Sequence, residues 1–144
     1  MKITIETPGA GEEDEIIVRC ASLDNKLMKL IQELKAGEKL VGYIEDRIVQ
    51  LSLEDIYYFE AVDNKVFAYT VDEAYEIRKK LYELEQGFAH TDFLRISKQM
   101  IINISKIAYI KRIFNGRFEA KLRNGEKIIV SRQYVIKLKE KIGI

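Results

Sequence analysis

Tryptophan is absent from these 144 residues, and cysteine, histidine and proline occur once each, as Cys20, His90 and Pro8. A single cysteine excludes an internal disulfide and fits a reducing compartment. One cysteine and one histidine also leave too few ligands for a zinc centre. Neither a metal nor another cofactor is therefore expected. His90 lies in the polar run His90-Thr91-Asp92, a poor start for acid–base chemistry. A Gly-x-Ser-x-Gly elbow, a phosphate loop and a dinucleotide fingerprint are also missing. These absences predict a protein that is not an enzyme and takes no small-molecule substrate. No apolar run approaches the roughly 20 residues of a membrane helix. Residues 1–20 show no signal-peptide pattern, so the expected location is cytoplasmic.

Negative charge is scarce in one part of the chain only. From Arg95 to Ile144 there are thirteen Lys/Arg against three acids, Glu119, Glu126 and Glu140. That surplus of ten sits in a chain of net charge +1, so the first ninety-four residues carry −9. Such a split points to a polyanionic partner, with nucleic acid first.

The apolar residues, 47% of the chain, suffice for one core, and Val, Ile, Tyr and Phe favour pleated structure. Residues 1–37 read as an N-terminal extension. It comprises strand Lys2–Glu6, the acidic loop Glu12–Glu15, strand Ile16–Cys20 and a helix to about Ala36. Ser22 and Asp24 offer N-caps for that helix, and Gly37 is placed to stop it. Leu27, Leu30, Ile31 and Leu34 fall at i, i+3, i+4 and i+7. This stripe either packs on the domain's own sheet or meets a partner.

Residues 38–144 read as a succession of short strands. Val41–Glu45 and Ile48–Leu51 form a hairpin, Ser52-Leu-Glu-Asp55 a capping-box-like turn, and Ile56–Val62 and Lys65–Thr70 a second hairpin around Asp63-Asn64. Ala74–Ile77 is a strand, and Arg78–Gln86 a helix with Leu81 and Leu84 inward. Phe93–Ile96 and Met100–Ile104 flank Ser97-Lys98-Gln99. Ile107–Ile113, Phe118–Leu122 and Lys127–Val130 are joined at Asn115-Gly116 and Asn124-Gly125. Asn-Gly is the strongest short hairpin signal, because a type I′ turn needs positive φ at both central residues. Ser131 is placed to cap a last helix. The pattern predicts a mainly β meander or sandwich with short helices.

Several loop residues suit base edges. Arg and Lys donate to guanine O6 and N7, and Asn or Gln pair with adenine. Asn64 and Lys65 sit at a hairpin tip, Lys98 and Gln99 at a break between strands, Arg132 and Gln133 at a helix start. Arg95, Arg117, Lys121 and Lys127 are better placed for phosphates.

Some runs say more than composition. Phe93-Leu-Arg-Ile-Ser-Lys98, Ile102-Asn-Ile-Ser-Lys-Ile107, Asn115-Gly-Arg117, Leu122-Arg-Asn-Gly-Glu-Lys127 and Val130-Ser-Arg-Gln-Tyr134 occur in order. Ile56-Tyr-Tyr-Phe-Glu60 and Asn64 precede them. Residues 38–142 thereby resemble the LytTR DNA-binding domain. The resemblance implies an elongated β-β-β sandwich of antiparallel strands in a bacterial transcription regulator. It implies loops in successive major grooves of double-stranded DNA, at direct repeats that the protein bends. The base-facing loops would be Asn64-Lys65, Ser97-Lys98 and Arg132-Gln133. Some relatives carry a histidine near the first loop, and many an arginine where Gln133 stands, so the resemblance implies DNA binding without fixing the preferred sequence. About forty residues precede the domain, too few for the receiver of most members. The chain thus looks like the stand-alone regulators, often paired with a small membrane inhibitor protein. The Leu27/Leu30/Ile31/Leu34 stripe or the acidic face of residues 41–94 would then receive the inhibitor or a second protomer in a homodimer. The alternative function is a protein-interaction module whose basic face docks an acidic partner. RNA binding is a third, disfavoured because the aromatic residues mostly alternate like core.

Overall fold

The computed structural model describes residues 2–36 and 39–144. The chain divides into two units, Met1–Gly37 and Glu38–Ile144.

Among its described residues the first unit holds one regular element, helix α1 (Asn25–Ala36). Asp24 Oδ1 accepts a hydrogen bond from Leu27 N at 2.8 Å, so Asp24, not Ser22, supplies the cap. Leu27 and Ile31 are half-buried, whereas Leu30 and Leu34 stay 48% and 52% exposed. Gly37, the expected helix stop, lies outside the described residues. The strands expected at Lys2–Glu6 and Ile16–Cys20 do not form. Their physical weakness is visible in burial. Ile3, Ile5, Ile16 and Ile17 are all more than 60% exposed, and a two-stranded ribbon with nothing to cover its apolar face is marginal in water.

The second unit is built from strands β1 (Lys39–Ile44), β2 (Arg47–Ser52), β3 (Tyr58–Val62), β4 (Lys65–Tyr69) and β5 (Ala74–Ile77), then helix α2 (Leu81–Gly87). Strands β6 (Phe93–Arg95), β7 (Met100–Asn103), β8 (Ile107–Arg112), β9 (Phe118–Leu122) and β10 (Lys127–Val130) follow, and helix α3 (Val135–Ile142) closes the chain. One sheet runs β2-β1-β5-β4-β3-β7-β6, the other β10-β9-β8, with all pairings antiparallel.

The larger sheet works as two layers. A single residue pair, Tyr43↔Glu76, joins β1 to β5. Beyond it, Leu40 and Leu51 of the β1–β2 hairpin share a core with Phe59, Val66, Ala68 and Ile77 of the central strands and with Leu81 and Leu84 of α2. Gly42 permits this crossing. A Cβ there would lie 2.7 Å from Leu51 Cδ1 and 2.8 Å from Tyr75 Cβ, closer than packed atoms approach.

The central strands serve a second core on their other face. Phe59 and Ile101 point into the first core, while their neighbours Tyr58 and Ile102 point into the second. Strands buried on both faces read as continuous apolar runs, which is how Ile56-Tyr57-Tyr58-Phe59 and Ile101-Ile102 read. The second core is completed by Phe118, Ala120, Leu122, Ile128 and Val130 of the small sheet and by Val135 and Leu138 of α3. The result is the expected three-layered β-β-β arrangement.

Asn103 is the one buried polar residue among those described, at 3% exposure. Its Nδ2 donates to Ile56 O at 2.9 Å, and its Oδ1 accepts from Ser105 N and Oγ at 3.1 and 2.7 Å. Both ends of the amide are satisfied, so it fixes the exit of β7 at little cost. The Asn-Ile-Ser run that contributed to the family resemblance is thus structural.

Candidate nucleic-acid interface

Three loops expected to read bases come from distant parts of the chain, and backbone hydrogen bonds draw them together. The β3–β4 tip is a two-residue turn. Asp63 and Asn64 have φ of 50° and 63°, and Val62 pairs with Lys65. Ala61 N, just before this tip, donates to Gln99 O at 2.8 Å, tying it to the β6–β7 loop. Ile96 O, at the start of that loop, accepts from Ser131 N at 2.9 Å, tying it to the β10–α3 loop. Asn64, Lys65, Lys98, Gln99, Arg132 and Gln133 are all exposed along this edge, and Ser97 is half-buried.

The β8–β9 turn joins the same edge. Asn115 and Gly116 have φ of 62° and 72°, as a type I′ turn requires. A Cβ on Gly116 would sit 3.0 Å from Arg132 Cδ, so the stem of Arg132 lies directly on this turn. The second Asn-Gly differs. Gly125 alone has positive φ, at 94°, and Gly125 N donates to Leu122 O at 3.0 Å. This is the three-residue loop in which an ordinary turn is followed by a left-handed glycine bulge. Glu126 draws the difference: its N–H donates to Asn124 Oδ1 at 3.0 Å, which holds Asn124 out of the left-handed region.

Ser131 makes no side-chain cap. It opens a short 3-10 turn, Arg132–Tyr134, with Tyr134 N on Ser131 O at 2.8 Å, and α3 begins only at Val135. Arg132 and Gln133 therefore project from a tight turn rather than from the first turn of an α-helix.

Arg95 is held inside the protein. Its side chain is only 16% exposed. Nε donates to Ser97 O at 2.7 Å, Nη2 to Lys98 O, and Nη1 lies 3.4 Å from Glu85 Oε1. A guanidinium committed to two loop carbonyls and a carboxylate has little left for a phosphate. Its geometry is that of a brace for Ser97-Lys98.

Lys111, Lys121 and Lys127 lie on the small sheet, Arg117 at its β8–β9 turn and Lys65 at the start of β4. Lys121 and Lys127 are directly opposed across β9 and β10, an unfavourable pairing without an anion to bridge it. Lys121 Nζ also lies 5.9 Å from the Tyr109 ring. Lys111 Nζ is 3.4 Å from Glu119 Oε2, which is buried and has no hydrogen-bond partner. Arg117 Nε donates to Phe114 O at 3.3 Å at the turn itself. Lys65 Nζ lies 3.9 Å from Glu76, a surface pair worth little and readily exchanged.

Among the described residues, no group of three or more His, Cys, Asp or Glu could hold a metal ion, and no helix is long and apolar enough to cross a membrane. The sequence reading overlooked Phe114, an 87% exposed aromatic at the β8–β9 tip. Its only sequence signal is its place immediately before Asn115-Gly116.

Comparison with known proteins agrees with this fold. The LytTr domain of a methyl-accepting/DNA response regulator from Bacillus cereus superposes with a TM-score of 0.70 at 22% identity, covering 75% of this chain and all of that one. The sensory transduction protein LytT of Bacillus anthracis is 34% identical over 123 residues, 81% of this chain and 50% of LytT. The chain thus spans about half the length of the curated LytT relatives it matches. A Staphylococcus aureus protein described as an uncharacterised HTH-type transcriptional regulator is 26% identical over 147 residues, covering 100% of this chain and 99% of that protein. Residues 46–143 match the LytTr DNA-binding domain, and with most of its length inside that match the chain belongs to the LytTr family of DNA-binding domains.

Proposed function

We propose that this chain regulates transcription by reading a specific double-stranded DNA sequence with the edge formed by its three tied loops. The observation that carries the reading is the pair of backbone bonds, Ala61 N to Gln99 O and Ser131 N to Ile96 O. They set three loops of complementary chemistry side by side in a domain of a DNA-binding family.

In this reading Arg132, Gln133, Lys98 and Asn64 meet base edges in successive major grooves, with Ser97 and Lys65 beside them. Arginine or lysine selects guanine, and the amides select adenine. Arg117, Lys121 and Lys127 neutralise phosphates and release counterions, so affinity falls steeply with salt. Arg95 orients the Ser97-Lys98 loop from inside. Several loops entering one side of the duplex favour a bend, which adds sequence preference through deformability. Two protomers on direct repeats would double the edge. The exposed part of α1, around Leu30 and Leu34, is the segment offered to a second protomer or to a small membrane inhibitor protein.

Selection of duplexes from a random library tests the reading. Enrichment of one motif, twice per site at about one helical turn, supports it. A protein that enriches no sequence while still binding acidic partners is instead a protein-docking module. Deleting residues 1–37 tests the partner role of α1. An unchanged oligomeric state and unchanged inhibitor response exclude it.

A further inference from the structure

Phe114 is the most exposed large apolar side chain described in the second unit, at 87%. Single exposed apolar residues are common on protein surfaces and need no function by themselves. This one differs in how it is held and in what surrounds it. The type I′ turn at Asn115-Gly116 fixes the tip, and Arg117 Nε on Phe114 O closes it from behind at 3.3 Å. Gly116 rests against the stem of Arg132. The backbone that carries the ring is therefore held in place beside a proposed base-reading arginine. Arg112 and Arg117 lie within three residues of it and the stem of Arg132 rests on the same turn, all three exposed, so the tip is positively charged, which suits a polyanion better than a purely apolar partner.

A phenyl ring has no hydrogen-bond donor or acceptor, so it cannot read the polar code of a base edge. The major groove of duplex DNA offers one apolar group at its base edges, the C5-methyl of thymine. With Arg132 in that groove, a ring one turn away along the same edge falls within about three base pairs, at 3.4 Å per step. We propose that Phe114 is a further specificity residue, packing against a thymine methyl near the base read by Arg132. This rests on the loop reading above and deepens it. The contact makes the protein sensitive to a group that no charged or amide side chain here would detect.

The test is a cycle between protein and DNA. A duplex selected by the wild-type chain is rebuilt with deoxyuridine in place of thymidine, one position at a time, which removes only the methyl. One or two positions should weaken wild-type binding about fourfold, the factor for one buried methyl group. Phe114→Ala should bind the thymine duplex at least fourfold more weakly and respond at none of those positions. Its salt dependence should match wild type, because no charge is lost. Arg132→Ala should still respond to uracil. An exposed ring contributes little to folding, so an unchanged thermal melt for Phe114→Ala checks that the variant is intact.

The proposal is overturned if Phe114→Ala binds as tightly as wild type, or if it responds to uracil as wild type does. It is also overturned if the variant loses only self-association in sedimentation, which would assign the ring to a second copy of the chain. If Arg132→Ala loses discrimination while Phe114→Ala is silent, the ring contact falls and the loop reading stands. If the uracil cycle holds while Arg132→Ala keeps full discrimination, the role of Arg132 falls instead. If no duplex sequence is enriched at all, both fall together.

Discussion

The β6–β7 loop and the β10–α3 loop meet at one backbone hydrogen bond, Ser131 N to Ile96 O, yet they are held in opposite ways. The first is braced by a side chain. Arg95 turns inward, caps the carbonyls of Ser97 and Lys98 and pairs with Glu85. The second is braced by backbone, through the turn from Ser131 to Tyr134 and the anchoring of α3 by buried Val135 and Leu138. That leaves Arg132 exposed, its stem on Gly116. Two arginines from the same basic zone are thus placed differently, one turned inward to brace a loop and one left exposed. Charge counting cannot separate them; hydrogen bonding does.

Removing the side-chain brace should have the largest effect on the fold. Arg95→Ala loses charge-assisted bonds to two carbonyls and leaves Glu85 unpaired, so urea denaturation should show a loss of about 2–3 kcal/mol. Specific DNA binding should fall with it, since Ser97 and Lys98 lose their fixed backbone. Arg95→Lys should rescue only part of this, because an ammonium cannot span the same fork. A variant as stable as wild type would mean that the loop needs no brace, and the contrast between the two loops would collapse.

Gly116→Ala sharpens the contrast from the other side. It adds a Cβ at a φ of 72° and 3.0 Å from Arg132 Cδ. The left-handed backbone costs about 1–2 kcal/mol for a residue with a Cβ. The displaced Arg132 should weaken specific binding as well. Loss of stability without loss of binding would show that the turn does not seat Arg132.

A smaller effect is expected where the layer bearing the second loop joins the central strands. Tyr58 OH donates to Glu126 Oε2 at 2.8 Å and stacks on Tyr69, with ring centroids 4.5 Å apart. Tyr58→Phe should cost about 1 kcal/mol in thermal or urea unfolding. Burial, then the bond to Glu126 and its charge, push the Tyr58 hydroxyl well above its usual value of 10.0. Its protonated form is favoured in the fold. The contribution is therefore complete below about pH 10 and lost as pH rises beyond it. The stability gap between wild type and Tyr58→Phe should shrink above pH 10, and a gap constant across that window would contradict the linkage.

Much of this architecture was legible from local signals. Asp63-Asn64 and Asn115-Gly116 marked their turns because their backbones need positive φ. Leu81 and Leu84 read as inward because helical spacing puts them on one face, and both are buried. What escaped were features set by distant partners. The strands expected in residues 2–20 had the right alternation but no covering layer. Asn124-Gly125 had the turn signal, yet the bond from Glu126 N to Asn124 Oδ1 selected another loop. The close crossing at Gly42 depends on Leu51 and Tyr75, which no local pattern announces. Arg95 looked like a phosphate contact because its bonds to Ser97, Lys98 and Glu85 exist only after folding. The loops proposed to read bases were recognisable by residue type, but their shared edge required the backbone bonds from Ala61 and Ser131.

The most direct measurement is the affinity of wild type and Arg132→Ala for the selected duplex and for a scrambled duplex of the same length and salt. An exposed Arg132 that contacts a base should cost about 1–3 kcal/mol on the selected sequence, little on the scrambled one, and nothing beyond about 0.5 kcal/mol in folding stability. Equal weakening on both duplexes would make Arg132 a phosphate contact and contradict the division of labour between the two loops.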